Sequence, residues 1–308
     1  MLRQALLAAS DSERLGELVR TVPIARGLVR RYVAGETTAD ALRVAARLRE
    51  EGLLVSLDHL GEHTTEPEHA EAAVDAYVEL LKGLADQGLS DAAEVSMKPS
   101  AVGLHLDDGE ATATANVRRV CEAAADAGTT VTLDMEDHNT VDATLRIVRE
   151  IRRDHPELGS VLQSYLRRTE ADVAEMSYQG SRVRLCKGAY APIESDSYTE
   201  KRDIDASYVR CMKRLMSGKA YPMLATHDPR LIEIAGSLAV LNERPEDEFE
   251  YQMLYGIRPD EQRRLARMGG QVRVYVPYGT DWYGYLMRRL AEKPSNLALF
   301  LRSLPGRG

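Results

Sequence analysis

Near the C-terminus, Tyr285-Leu-Met-Arg288-Arg289-Leu-Ala-Glu292 follows an extended run, Val272-Arg-Val-Tyr275-Val-Pro-Tyr-Gly279. On a helix turning about 100° per residue, Asp281, Tyr285, Arg288, Arg289 and Glu292 share a sector of roughly 80 to 100°, while Leu286, Met287 and Leu290 point elsewhere. Two adjacent guanidinium groups make a rigid donor array that fits a carboxylate or a phosphate. A tyrosine one turn away adds an aromatic wall. A solvated helix face with a short charge run has the same pattern, so the rest of the chain has to decide between the two.

Lys187, in Val183-Arg184-Leu-Cys-Lys187-Gly188-Ala189-Tyr190, ends an apolar extended run, where desolvation lowers an ammonium pKa. It suits a Schiff-base nucleophile, or a fixed cation that holds a cofactor and favours its anionic reduced form. A rim lysine with a solvated tip is the plain alternative. Gly188 and Ala189 are small enough for a flat ring or a phosphate to approach the backbone. Lys98, Arg288 and Arg289 are cations that could converge on one carboxylate, with Asp134 nearby to orient a cation or take part in proton transfer. Burying these charges without a partner is costly, so a small anionic substrate is implied. Glu62 offers a partner for one of the arginines when the site is empty.

The elements that must bring these residues together are short β-rich runs recurring every 25 to 45 residues or about that. They are Leu53 to Asp58, Ala93 to Lys98, Thr130 to Asp134, Ser160 to Tyr165, Val183 to Gly188, Pro222 to His227, Phe249 to Leu254 and Val272 to Tyr275. Ala-, Leu-, Arg- and Glu-rich helical stretches lie between them, such as Ala70 to Asp86 and Thr140 to Asp154. This alternation predicts an α/β fold, a closed (βα)8 TIM barrel over 51–308, preceded by a helical N-terminal region over 1–50. A doubly wound sheet competes, but neither Gly-x-Gly-x-x-Gly nor a Walker loop follows the first run. The segment from Pro192 to Asp205 reads as a loop leading into a helix around Tyr208 to Met216.

In a barrel enzyme the site is built at the C-terminal ends of the strands. That single rule gathers Asp58, Lys98, Asp134, Gln163, Lys187, His227 and Tyr275 on one rim. Each has a plain alternative: Asp58 or Asp134 as a helix cap, His227 before Asp228-Pro229 as a turn residue, Gln163 satisfying a loop. All of them together favour a site.

Bulk properties narrow the classes. With 40 Lys plus Arg against 48 Asp plus Glu, the 308-residue chain carries a net charge of −8, which disfavours nucleic acid as a partner. Cys121, Cys186 and Cys211 are far apart and without a Cys-x-x-Cys or Cys/His pattern, so neither a disulfide framework nor a metal site is expected, in keeping with a reducing cytoplasm. Asp11, Glu13 and Arg14 interrupt the N-terminal apolar residues before an export signal is complete. No apolar run approaches the 18 residues or so that would span a bilayer, although the protein could still rest on a membrane surface.

Taken in order, Asp58-x-Leu-Gly-Glu62, Ser96-Met-Lys98-Pro-Ser, Leu133-Asp134-Met135-Glu136, Gln163-Ser-Tyr, Val183-Arg184-Leu-Cys-Lys187-Gly188-Ala189-Tyr190, Ala225-Thr226-His227, Gln252-Met-Leu254-Tyr-Gly256, Tyr275-Val-Pro-Tyr-Gly279 and Tyr285-x-x-Arg288-Arg289-x-x-Glu292 resemble the motif set of the proline dehydrogenases. The resemblance is to the FAD-dependent monofunctional bacterial form, and the chain is similar to the first catalytic domain of the bifunctional proline-utilisation flavoenzymes. It implies a distorted (βα)8 barrel with its last helix lying across the mouth. It also implies hydride transfer from C5 of L-proline to FAD, giving Δ1-pyrroline-5-carboxylate, with electrons passed to a membrane quinone by a protein peripheral on the inner face of the membrane.

Carried over by position, the resemblance implies that Lys98, Arg288 and Arg289 bind the proline carboxylate and that Leu254, Tyr275 and Tyr285 pack on its ring. Asp134 and Arg184 would be catalytic, Arg184 near the flavin N5. Met135, Gln163, Lys187, Gly188, Ala189, Thr226, His227 and Glu292 would contact FAD, with Lys201 and Arg202 near a phosphate, and a Glu62–Arg289 ion pair would gate the site. Pro294 should end or kink the last helix near Lys293, which leaves Asn296 off its polar face. Two other readings stand beside this one: a Schiff-base aldolase built on Lys187, and an amino-acid-binding barrel that keeps the clamp without turnover.

Overall fold

A computed structural model describes residues 29–62, 64–190 and 192–292. Eight parallel strands close into a barrel in sequence order, β1 (Leu54–His59), β2 (Ala93–Met97), β3 (Val131–Leu133), β4 (Gly159–Gln163), β5 (Arg182–Cys186), β6 (Tyr221–Ala225), β7 (Glu250–Leu254) and β8 (Val272–Tyr278), with β8 pairing back onto β1. The helices are α1 (Thr38–Glu50), α2 (Pro67–Asp86), α3 (Gly109–Asp126), α4 (Val141–Ile151), α5 (Thr169–Met176), α6 (Lys201–Ser217), α7 (Pro229–Leu241), α8 (Pro259–Arg267) and α9 (Trp282–Glu292). The barrel expected from the alternation of runs is the one observed.

The strands alternate with period two, and the sense of the alternation makes this barrel unusual. Val55, Leu57, Val95, Met97, Val131, Leu133, Val183, Leu185, Tyr251, Met253, Val272, Val274 and Val276 belong to the hydrophobic core shared with the helices. The intervening Ser56, Asp58, Glu94, Ser96, Thr132, Arg184, Glu250 and Gln252 are buried and polar. They bond across the lumen, as from Arg184 on β5 to Ser56 on β1 at 3.2 Å. Apolar residues therefore face outward, under the helices, and the lumen is polar. Gly159 makes room inside: a Cβ there would lie 2.6 Å from Thr132 Oγ1 and 3.2 Å from Met223 Cε.

Helix starts follow local chemistry. Thr37 and Asp40 form a capping box at α1. Pro67, Pro229 and Pro259 each stand at the first turn of α2, α7 and α8, where the missing N–H is no loss. The apolar face of α1 (Ala41, Leu42, Val44, Ala45 and Leu48) joins the same core as the barrel. The segment before α1 is tied to the end of β8, the Ala34 amide donating to the Pro277 carbonyl at 2.9 Å and the Gly279 amide to the Gly35 carbonyl at 3.0 Å. Trp282, at the start of α9, donates to Glu36 Oε1 at 3.1 Å. The N-terminal segment thus positions the last helix. Residues 1–28 of the expected helical region lie outside the described residues, as do Pro294 and Asn296.

The loop expected from Pro192 to Asp205 is shorter than its sequence suggests, because α6 begins at Lys201. Lys201 at the start of the helix bonds Asp205 one turn on. The i,i+4 pairing supports helix earlier than the apolar residues from Tyr208 onward would place it.

Candidate active site

The rim residues converge in two linked groups. In the first, Asp134 and Arg184 form a buried ion pair, Nη1 to Oδ1 at 2.6 Å. Ser96 Oγ donates to the same carboxylate oxygen at 3.0 Å and accepts from Arg184 Nη1 at 2.9 Å. The other oxygen, Oδ2, accepts from the Tyr275 hydroxyl at 2.7 Å. Arg184 Nε donates to Gln252 Oε1 at 2.5 Å, Nη2 donates to Ser56 Oγ at 3.2 Å and lies 3.5 Å from Glu94 Oε1. The guanidinium is also 5.3 Å from the Tyr275 ring centroid. Burial alone would favour a neutral Arg184, but Asp134 and then Glu94 outweigh it and raise its pKa. Burial, together with the charges of Asp134 and Asp58, pushes the Tyr275 phenol well above its ordinary value of 10.0, so it stays protonated and donates.

In the second group, Lys98 Nζ contacts Asp58 Oδ2 at 2.6 Å, with Glu62 Oε1 at 4.0 Å. Burial disfavours the ammonium, yet Asp58, Glu62 and Asp134 overcome that and hold its pKa above the ordinary lysine value. This is a cation fixed at the mouth of the barrel. The Tyr77 hydroxyl, donating to the Ser96 carbonyl at 2.9 Å, braces the strand that carries it.

Lys187 lies just beyond β5 and is paired with two carboxylates, Asp205 Oδ1 at 2.6 Å and Asp228 Oδ2 at 3.1 Å. Asp228 also caps α7, its Oδ1 accepting the Arg230 amide at 3.1 Å. The desolvated amine expected from the apolar run is therefore replaced by a paired one, because the side chain leaves the strand for the polar starts of α6 and α7. That removes the premise of the Schiff-base reading. Lys201 sits 3.7 Å from the same Asp228.

The remaining rim residues are placed as follows. Gln163 Nε2 donates to the Glu136 carbonyl at 2.8 Å. His227 Nε2 accepts the Leu254 amide at 2.9 Å, so the ring orients the end of β7. Thr226 Oγ1 accepts the Asp228 amide at 3.1 Å. Gly188 is exposed with a φ of +97°, and a Cβ there would lie 2.2 Å from Tyr165 Cδ1 and 3.1 Å from Gln163 Oε1, so no other residue fits. Met135 is buried, and Leu254 and Ala189 are half-buried. On α9, Tyr285 is buried, and the half-buried Arg289 carries its guanidinium carbon 5.3 Å from the Tyr285 ring centroid. That is not a freely solvated helix face, and Asp281 precedes the helix rather than riding on it. Arg288 and Glu292 belong to α9, but their side chains lie outside the described set.

Sequence reasoning did not single out Glu94, Ser56, Ser96 or Gln252 as partners of Arg184, nor Asp205 and Asp228 as partners of Lys187. A signal existed for the first four. Ser56 with Asp58, Glu94 and Ser96 with Lys98, and Gln252 with Leu254 stand two apart on strands already drawn to the rim, so they share its face.

Known proteins share this chain's sequence and fold. The proline dehydrogenase family model matches residues 41–300. The chain is 36% identical over 305 residues to proline dehydrogenase 1 of Bacillus subtilis, covering 99% of each. The chain belongs to the proline dehydrogenase family. Another member, proline dehydrogenase of Deinococcus radiodurans, is 36% identical over 309 residues, covering 99% of this chain and 98% of that one. Among solved structures, proline utilization A of Bdellovibrio bacteriovorus inactivated by N-propargylglycine superposes with a TM-score of 0.81 at 28% identity. That likeness covers 88% of this chain but 33% of the larger protein, so the family member described here corresponds to about a third of it. No described helix is long and apolar enough to cross a membrane.

Proposed function

We propose that this protein is an FAD-dependent proline dehydrogenase that oxidises L-proline to Δ1-pyrroline-5-carboxylate and passes the electrons to a membrane quinone, acting in the cytoplasm at the inner face of the membrane. The observation that carries the reading is the placement of a fixed cation, Lys98, beside the Asp134–Arg184–Tyr275 cluster at the mouth of a barrel of this family.

The donor set suits the cofactor. Gln163, Lys187 and Thr226 carry amide, ammonium and hydroxyl hydrogens near the strand ends, Gly188 is exposed with Gln163 beside it, and Arg184 is a buried cation, a combination that suits a ligand with carbonyl and phosphate oxygens and a flat ring. Met135, Gln163, Arg184, Lys187, Gly188, Ala189, Thr226, His227 and Glu292 would hold it. When bound, FAD supplies a hydride acceptor and a store for the electron pair until a quinone takes it.

The chain's own residues bind and orient. Lys98, Arg288 and Arg289 clamp the substrate carboxylate, while Tyr275, Tyr285 and Leu254 wall its ring, so that C5 is presented in one direction. Arg184 stays a fixed cation because Asp134 and Glu94 outweigh its burial. Tyr275 stays protonated and donates its hydroxyl hydrogen bond to Asp134 Oδ2, so that the carboxylate is held on both oxygens. Glu62, 4.0 Å from Lys98, pairs with Arg289 as the gate of the empty site and releases it to the substrate carboxylate. The test is a visible spectrum: a yellow protein bleached by L-proline without added nicotinamide supports the reading, and a colourless protein that FAD cannot reconstitute sinks it.

A further inference from the structure

Below the rim, the lumen is filled by charge where barrels of this type ordinarily stack branched apolar side chains. Arg182, Arg184 and Arg273 face Glu94, Glu250 and Asp134, three charges against three. Arg182 Nη2 meets Glu94 Oε2 at 2.5 Å, and Arg273 Nε meets Glu250 Oε1 at 2.8 Å and Glu94 Oε1 at 3.8 Å. The Tyr221 hydroxyl donates to Glu250 Oε2 at 3.2 Å. Between this floor and the Arg184–Asp134 pair stands a neutral side chain, Gln252, buried on β7.

Gln252 Nε2 donates to Glu250 Oε1 at 2.5 Å, and its Oε1 accepts from Arg184 Nε at 2.5 Å. A carboxylate only accepts and a guanidinium only donates, so the amide satisfies both in one orientation alone. Glu250 thereby dictates which end of the amide faces Arg184. Arg184 Nη1 is given to Ser96 and Asp134 and Nη2 to Ser56, with Glu94 Oε1 3.5 Å from Nη2, while Nε is held by Gln252.

We propose that Gln252 is a positioning residue: keyed by Glu250, its carbonyl fixes Arg184 at Nε and holds the guanidinium against Asp134. The inference rests on the reading of Asp134 and Arg184 as the reacting centre of proline oxidation. A neutral residue is required here. A carboxylate would set a fourth negative charge against three arginines, at hydrogen-bond distance from Glu250. An apolar residue would leave the buried Arg184 Nε without an acceptor, while Glu250 Oε1 would keep only its bond from Arg273 Nε. The charged and titratable groups around this position are Glu250 on its own strand, Arg184 on β5, Tyr221 on β6, Arg273 and Tyr275 on β8, Glu94 on β2 and Asp134 on β3.

The experiment compares FAD-loaded wild type, Gln252→Leu and Gln252→Glu by two readouts: the limiting rate and half-saturation of proline-driven flavin bleaching across pH, and hydrogen exchange at the Arg184 Nε–H in protein labelled with 15N-arginine. In Gln252→Leu the limiting rate falls roughly tenfold to a hundredfold, the scale of one lost hydrogen bond to a charged group. Half-saturation holds, since Arg184 does not grip the carboxylate, and the Nε–H exchanges faster. In Gln252→Glu a protonated carboxyl repeats both bonds of the amide, so its rate relative to wild type rises as pH falls, while the ratio for Gln252→Leu stays level. Unchanged Nε–H exchange with a full limiting rate, or a loss seen in thermal stability alone, overturns the proposal. Should Gln252→Leu fail to fold, the near-isosteric Gln252→Glu decides by itself: a level pH ratio with wild-type exchange overturns it. A wild type that proline does not bleach overturns the functional reading instead, and the exchange measurement still decides whether Gln252 holds Arg184.

Discussion

Asp134 and Arg184 stand 50 residues apart in the chain and meet at 2.6 Å inside the barrel, where the arginine is almost fully buried. The pair is held from both sides, by Tyr275 at the mouth and by Gln252 and Ser56 from below. Such a pair contributes modestly against an apolar alternative, but removing one partner leaves an uncompensated buried charge.

Asp134→Ala should therefore lower stability by about 3 to 5 kcal/mol in urea unfolding. Asp134→Asn, which keeps an acceptor for Arg184 and loses the charge, should cost less and still slow proline-driven bleaching. Equal stability of the two variants would contradict the charge argument.

Tyr275→Phe removes the hydroxyl that donates to Asp134 Oδ2 and should weaken the site by about 1.5 to 3 kcal/mol, the range for a hydrogen bond to a charged group. Tyr275→Ser should in addition open the ring pocket. Relative rates with proline and hydroxylated proline measure this, and an unaltered ratio would remove Tyr275 from the substrate wall.

Arg289→Ala and Lys98→Met should each raise the proline concentration needed for half-maximal bleaching, by a few kcal/mol of binding where a buried charge-assisted contact is lost. Lys98→Met also leaves Asp58 buried without its cation, so its stability should fall as well. Substrate affinity unchanged in both variants would dismantle the clamp. Tetrahydrofuroic acid, which keeps the carboxylate and ring of proline without the amine, should compete with proline.

Gly188→Ala should be poorly tolerated, because its Cβ would collide with the Tyr165 ring and the backbone is left-handed there. A loss of about 1 kcal/mol or more is expected from the backbone term alone, together with weaker retention of FAD on a desalting column. A fully loaded, stable variant would exclude Gly188 from the cofactor contact.

Acid stability tests the floor of the barrel. Burial raises the Glu94 carboxyl, but Arg182, Arg273 and Arg184 overcome that and hold it below its ordinary value of 4.5. A depressed carboxyl contributes stability that is present above 4.5 and lost as pH falls below it toward the folded value. Glu94→Gln should thus be much less stable than wild type at neutral pH, with the gap narrowing below pH 4.5. A gap constant with pH would show that the charge of Glu94 is not what stabilises the floor.

Much of this architecture is written locally. Period-two runs separated by helical stretches determine the barrel, and the rule that strands end at one rim brings Asp58, Lys98, Asp134, Gln163, Lys187, His227 and Tyr275 together without coordinates. The order of the motifs from Asp58 to Glu292 likewise determines the family. Partnership is another matter. Arg184 bonds Gln252 across 68 residues and Asp134 bonds Tyr275 across 141, and no spacing encodes which side chains meet across a lumen. That depends on the register at which eight strands close and on the direction each polar side chain takes within the closed barrel. The same holds for Lys187. Its run reads as a desolvated amine, and only the approach of α6 and α7 decided that it would be paired by Asp205 and Asp228.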